Sequence, residues 1–556
     1  MKKLFILPIL FSTFALASCN LLMPSSGGRK KKTSSEEDTS ITSTTDDPTS
    51  DTSIDPTTSG DSGSSGTGST SVAPGPYVNS VTLNQKTASV KQGGTLNLTA
   101  TVDGNVLSVT WKSSNTSLAT VTPSGNNASV KIASNATVGQ TVTITATSTA
   151  DSTKSDSCTI TILKSDGSYT ILVYMCGADL ESGYASNNQG LASSDLLEML
   201  AVNDQPDNVN IVIETGGASQ WSANPGVNAN YLQRYHIRNK QLVFDNNQTK
   251  ANMGLASTLQ SFITWGVQTY PADTIGLIFW DHGGAVSGAC FDENYPDDYG
   301  MGDGLLASEM KSAYQGAFNT LGINKLEWVG YDCCIMSYAD LAAINSQYFN
   351  YMVSSQELES GYGWDYDAWL PTLFNNTSVS TETLLSTICD TFVAENGGTA
   401  TDNDQCLSVL DLTKMSAFTT AFDTTFAGSL TSSDWSKLKS TYNSSLRFAN
   451  ISEYGTAYGY GLADMKDFLT RAKNSYSYNT SAALTALDSV TIHSAYGGYY
   501  SGTQPCGLNV FIPADSSSNT QILKDDYDTN DTLFTNWRNF VIANGTFYES
   551  SGGWGW

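Results

Sequence analysis

The sequence predicts an α/β layered domain, a mostly parallel sheet with flanking helices, preceded by a small all-β sandwich. From Tyr169 onward, apolar runs such as Ile171–Met175 and Ile275–Trp280 alternate with a stretch of helical periodicity. Buried parallel strands joined by helices read this way. Between about residues 77 and 164, short segments alternate apolar with polar residues and are separated by glycine turns. That is the rhythm of half-buried antiparallel strands. At 556 residues the chain is also too long for one ordinary core, so several domains are expected.

The N-terminus comes first in order. Lys2 and Lys3 precede an apolar stretch, Leu4–Leu16, too short to span a membrane comfortably. It ends in Leu16-Ala17-Ser18-Cys19, which resembles a bacterial lipobox. Residues 1–18 then read as a lipoprotein signal peptide, with Cys19 lipidated as the mature N-terminus. The chain is accordingly expected to be exported and anchored to a bacterial membrane, facing outside the cytoplasm. An ordinary signal peptide with a chance cysteine is the plainer alternative. Residues 19–76 hold the basic run Arg29–Lys32 and then mostly Ser, Thr, Asp and Gly. Almost nothing there can be buried, so a disordered tether is expected. The basic run can contact anionic lipid, at about 1 kcal/mol per residue.

The second element, 77–164, contains Ser80–Leu83, Thr95–Thr101, Val109–Trp111 and Val142–Thr147 as strands, with turns at Gly93-Gly94, Asp103-Gly104 and Ser124–Asn126. The spacing suggests a β-sandwich of immunoglobulin type with Trp111 in its core. Its VTW and ATVT segments resemble the bacterial Ig-like group 2 domains, which implies a stalk or a weak adhesive module.

In the third element the strands are Ile171–Met175, Val209–Ile213, Ile275–Trp280 and Leu326–Tyr331. A helix is expected over Met253–Val267, with Leu255, Leu259, Phe262, Ile263 and Trp265 on its buried face. Ligands of such sheets bind beyond the carboxyl ends of the strands. One strand runs into Asp281-His282-Gly283-Gly284 and another into Asp332-Cys333-Cys334. Each taken alone reads as well as a structural histidine or as buried cysteines. Together they offer a base and a thiol within one domain, and an imidazole that takes the thiol proton makes it nucleophilic.

Further motifs follow the same order as a known family. YTILVYM at 169–175, WDHGG at 280–284, GYDCCIM at 330–336, SSQELESGYGWDY at 354–366 and GLNVFIP at 507–513 resemble the clostripain-like cysteine peptidases over about 168–514. The peptidase region is accordingly set at 168–556. The resemblance implies a caspase-like fold and a dyad of His282 and Cys334. It also implies an oxyanion site made by the N–H groups of Gly283 and Cys334, and an acid, Asp332, in the pocket for a substrate Lys or Arg. Cys333 stands where the family has alanine. Residues two apart in an extended segment share a face, so Asp332 and Cys334 can face substrate while Cys333 turns inward. Some relatives cut themselves at a basic residue soon after the histidine; none occurs here between His282 and Lys311.

The leading expectation is therefore a surface-anchored endopeptidase acting on protein or peptide substrates after Lys or Arg. The competing one is a catalytically silent surface binding lipoprotein. A net charge of −26, from 27 basic and 53 acidic residues, argues against nucleic acid as a partner. Among nine cysteines there is no CxxC pair, and there are three histidines, which disfavours a structural zinc site. The acidic loop Asp292–Asp298 offers oxygen ligands for Ca2+ without EF-hand spacing. No metal-site residues are assigned, and a solvated loop is the plainer reading. Glu357, Glu359 and Asp365 are further candidates for the substrate pocket; His236 and His493 are expected to be structural.

Overall fold

The computed structural model describes residues 75–133, 136–163, 167–296, 302–396, 403–427, 430–453, 456–514, 527 and 534–545. The segments expected as signal peptide and tether, with Cys19 and the basic run, lie outside the described residues. The chain divides into two compact units, one up to Ser165 and one from Asp166 onward.

The first unit is a sandwich of two four-stranded sheets. Its strands are β1 (Val78–Leu83), β2 (Thr87–Lys91), β3 (Thr95–Gly104), β4 (Val109–Ser113), β5 (Ala119–Ser124), β6 (Asn127–Ile132), β7 (Thr141–Ser148) and β8 (Ser155–Leu163). One sheet runs β1-β3-β6-β5, the other β2-β8-β7-β4. The alternation is literal in β3, where Leu98, Ala100 and Val102 are buried and the residues between them exposed. Trp111 joins that core and donates its indole N–H to the Gly125 carbonyl at 3.3 Å. Gly125 itself takes φ 63° in the β5–β6 turn, a conformation in which a side chain would be strained.

The second unit is organised by a nine-stranded sheet. Its strands are β9 (Tyr169–Cys176), β10 (Val209–Gly216), β11 (Tyr231–Arg238), β12 (Gln241–Thr249), β13 (Thr274–Trp280), β16 (Leu326–Asp332), β17 (Phe349–Ser354), β18 (Cys406–Asp411) and β21 (Thr491–Tyr496). The intervening numbers belong to smaller sheets: the hairpin β14 (Ala289–Pro296) with β15 (Gly302–Leu305), and β19 (Arg447–Glu453), β20 (Thr456–Asp464) and β22 (Asn509–Phe511). The large sheet runs β12-β11-β10-β9-β13-β16-β17-β18-β21. Its centre, from β10 to β17, is parallel as expected; both edges are closed by antiparallel strands.

Both faces of the sheet are covered. Leu172, Tyr174, Leu277 and Phe279 point to one apolar layer, with Leu259 and Phe262 of the helix Ala256–Thr269 and Met310 and Tyr314 of Ala307–Leu321. Ile171, Val173, Ile278 and Trp280 point to the other, against Leu196 of Leu191–Ala201 and Trp369 of Tyr366–Asn375. Successive side chains alternate between faces that are both buried, which is why these strands read as unbroken apolar runs.

The helix expected from Met253 begins three residues later. Asn252 forms a local turn instead: its side-chain oxygen accepts the Gly254 N–H at 2.7 Å, and its carbonyl accepts the Thr258 hydroxyl at 2.7 Å. Leu255 is the exposed residue before the helix, while Leu259, Phe262 and Ile263 are buried as their spacing requires.

Candidate active site

Three adjacent parallel strands end on one rung. Trp280 of β13 is paired with Met175 of β9 on one side and with Asp332 of β16 on the other. The chains leave that rung still side by side, since Asp281 N–H donates to the Asp332 carbonyl at 3.3 Å. His282 and Cys334, each two residues beyond the rung, both line the cleft at this edge, with Asp332, Glu359, Gly361 and Gly363. The structure thus brings His282, Gly283, Asp332 and Cys334 together.

The backbone here is tightly constrained. The His282 carbonyl accepts the Cys290 N–H at 3.3 Å, and Gly284 N–H donates to the Gly288 carbonyl at 2.8 Å. Gly283 bridges Ala289 between those two bonds, so its own N–H points away from that partner, as in any non-hydrogen-bonded antiparallel pair. A Cβ on Gly283 would overlap the Cys334 carbonyl. Ile335, directly after the thiol, takes φ 53°, a rare conformation for a β-branched residue. It is tied down by its N–H to the Glu357 carbonyl at 3.0 Å.

Side-chain surroundings separate the two cysteines. The Cys333 thiol donates to the Phe279 carbonyl at 3.5 Å, and burial pushes it well above the ordinary thiol range. The Cys334 sulfur receives the Glu359 backbone N–H at 3.2 Å and faces the Glu359 carbonyl at 3.8 Å. His282 Nε2 lies 2.8 Å from Asp179 Oδ1. Burial alone would lower the imidazole, yet Asp179, with Asp281 and Cys334, raises it to about 9. Asp179 belongs to the helix Ala178–Ala185 that follows β9. Sequence reasoning passed over it, although an apolar strand runs into it just as others run into His282 and Cys334.

Acids dominate the rest of the cleft. Asp332 accepts the Tyr366 hydroxyl at 2.9 Å and the Trp364 N–H at 3.3 Å. Glu359 is 3 % exposed; its carboxylate makes no well-formed hydrogen bond, the Trp364 side chain and the Cys333 backbone N–H being the donors that act on it. Burial pushes both carboxyls upward, and each raises the other or is raised by neighbouring acids. Of the three further candidates, Glu359 alone lines the cleft. Glu357 turns to the Ala449 and Leu358 amides, and Asp365 precedes the helix Tyr366–Asn375.

The other candidates stand apart. His236 Nδ1 meets the Asp245 carboxylate at 3.1 Å and the Tyr270 hydroxyl at 2.8 Å, and His493 meets Asp390 at 2.8 Å. Asp292 is occupied by the Met253 and Asn294 N–H groups; Asp297 and Asp298 lie outside the described residues. Among the described residues no three His, Cys, Asp or Glu side chains are grouped to hold a metal ion. A hollow lined by Thr419, Asp423, Thr424 and Asn536 contains neither thiol nor imidazole.

A thiol and an imidazole at the carboxyl edge of a parallel sheet fit a cysteine peptidase, and the family match shows that this protein is one. Comparison gives the family. The sequence model of the clostripain family matches residues 173–543, well over half of the chain, and the chain belongs to that family. The bacterial Ig-like domain (group 2) matches residues 77–160. Among solved structures, an inactive zymogen C11 protease from Parabacteroides distasonis is 20% identical, with 63% of this chain and 92% of that one covered and a TM-score of 0.44. A secreted C11 cysteine protease from Bacteroides thetaiotaomicron is 13% identical, with 68% and 99% covered and a TM-score of 0.45. The same description, in complex with an irreversible peptide inhibitor, is 15% identical over 66% and 99%, with a TM-score of 0.43. Comparison with curated proteins finds no match.

Proposed function

We propose that the protein is a membrane-anchored endopeptidase that cleaves after Lys or Arg through a dyad of His282 and Cys334. The observation that carries the specificity is Glu359, buried with neutral donors beside it and no cation among the groups that act on its carboxylate, next to Asp332 in the cleft that holds the thiol. A buried carboxylate with no cation to pair it is costly. A substrate ammonium or guanidinium would complete it with charge-assisted hydrogen bonds.

The chemistry follows from the same groups. The Cys334 thiolate attacks the carbonyl carbon after the basic residue. The oxyanion that forms is met by the N–H groups of Gly283 and Cys334. The His282 imidazolium gives its proton to the leaving amine, and a thioester remains. Water, deprotonated by the now neutral imidazole, hydrolyses the thioester and restores the thiol. Both thiols are buried, but that of Cys333 is turned to the Phe279 carbonyl, which supports Cys334 as the nucleophile. Anchoring rests on Cys19 and its flanking sequence, with the Ig-like unit as a spacer.

A thiol-reactive peptide ending in Lys or Arg tests the reading. Labelling should vanish in Cys334→Ala and persist in Cys333→Ala, and a Leu-ended analogue should label at least ten-fold more slowly. Equal labelling by the Lys- and Leu-ended probes would refute the specificity. Labelling retained in Cys334→Ala would refute the dyad. Metabolic lipid labelling that survives Cys19→Ser would refute the anchor.

A further inference from the structure

We infer that Asp179 is a third member of the site, a positioning residue that orients His282 through Nε2 and holds its charged form against the Cys334 thiol. This rests on the dyad proposed above and adds a residue to it. The argument begins with the strands. β9, β13 and β16 are neighbours in the sheet, and Met175, Trp280 and Asp332 share a rung. Asp179, His282 and Cys334 follow these residues, so acid, imidazole and thiol come from three successive strand ends in that order.

The turn that delivers Asp179 is built for close approach. Gly177 N–H donates to the Gly216 carbonyl at 2.8 Å. A Cβ on Gly177 would meet Glu181 at 2.9 Å and the Trp221 ring at 3.0 Å. Ala178 then takes φ 42°, and the next residue places its carboxylate 2.8 Å from His282 Nε2. The acid thus engages Nε2, while Cys334 acts on the same ring through its charge. A hydrogen bond to one imidazole nitrogen sets the tautomer and the orientation of the other.

Charge supports the geometry. Asp281, from the segment of His282 itself, and Asp332 and Glu359, from β16 and the loop after β17, are all pushed upward by burial. Among these acids and Asp179, only Asp179 is held below the ordinary carboxylate range, with His282 as the lowering partner. It therefore keeps its charge where the others tend to lose theirs. An ionised carboxylate on one side favours imidazolium, and imidazolium on the other side favours thiolate.

Asp179→Asn keeps the size and a hydrogen-bond acceptor while removing the charge. In the full chain it should lower kcat on a Lys-ended peptide by about 10- to 100-fold, with KM within about three-fold because the acidic pocket is untouched. The alkaline limb of kcat/KM and the alkylation profile of Cys334 by iodoacetamide should both shift by at least about one pH unit. Asp179→Glu should restore part of the rate. A folded Asp179→Asn with wild-type pH profiles would overturn the inference.

A second measurement does not depend on that variant folding. In Cys334→Ala, where the thiol no longer contributes, NMR titration of His282 should give a pKa well above the free-imidazole value of about 6.5. A value at or below it overturns the pairing. His282→Ala separates the two claims. Turnover retained in that variant sinks the dyad, whereas turnover lost there but unaltered in Asp179→Asn sinks only the role of Asp179.

Discussion

Gly283 is the residue on which the site's tolerance is least. It lies between the imidazole and the thiol, and any side chain there meets the Cys334 carbonyl. Gly283→Ala should push the two strand ends apart, costing about 1–3 kcal/mol of stability and most of the activity. Urea midpoints and kcat measured together would show it; wild-type values of both would mean that the ends are not held in contact. The acids give a pH dependence. Asp332 is pushed up to about 7 by burial, so its charged form is lost as pH falls through the neutral range rather than near pH 4, and Glu359 beside it is raised in the same direction. KM for Lys-ended peptides should climb there, before kcat does. A KM flat down to pH 5 would contradict it. That His282, Gly283, Asp332 and Cys334 meet at one sheet edge follows from their standing at or just beyond the ends of neighbouring apolar runs; the parts expected of Gly283 and Asp332 came from the family resemblance alone. Glu359 could be nominated but not separated from Glu357 and Asp365, since which carboxylate turns inward is decided by the Ala449 and Leu358 amides. Asp179 escaped because its partner lies 103 positions away.

Among the elements, β13 and β16 matter most, because their register sets the separation of the two chemical groups. Gly276 of β13 is paired with Trp328 of β16, and a Cβ on Gly276 would enter the indole ring. That ring is fixed in turn, its N–H donated to the Tyr169 hydroxyl at 2.6 Å. Gly276→Val should therefore destabilise by about 1–3 kcal/mol and lower kcat more than it raises KM, although the site is four residues or more away. Unchanged kcat in a destabilised protein would show that the strand ends are positioned by their loops alone. The parallel centre was legible from its unbroken apolar runs. The antiparallel edges were not. β12 holds only intermediate and exposed residues, with none buried, and such a strand resembles a polar loop until the neighbour that pairs with it is known. The start of the Ala256–Thr269 helix was misplaced for a related reason, since Met253 is buried by a turn rather than by a helical face.

At the scale of the molecule, each unit owns its core. The sandwich cluster draws only on residues from Val78 to Ile162, and both clusters of the peptidase unit begin at or beyond Tyr169. A chain starting at Gly167 should therefore fold and hydrolyse small Lys-ended peptides within about three-fold of the full chain, as additivity for independent units implies. A larger loss would mean that the Ig-like unit takes part in catalysis. The change of rhythm near residue 165 has a physical reason, because period-two alternation and continuous apolar runs are different demands on a strand.

The buried carboxylate of Glu359 has a kinetic consequence. On the proposed reading, the substrate's cation sits on the acyl side of the bond that breaks. The amine fragment can depart at once, while the other fragment stays in the cleft as a thioester and then as a free acid, its cation still in place. The contact that admits a substrate therefore also retards the exit of what it becomes. Peptides ending in a free Lys or Arg should accumulate as competitive inhibitors, and the enzyme would slow as its own digest ripens.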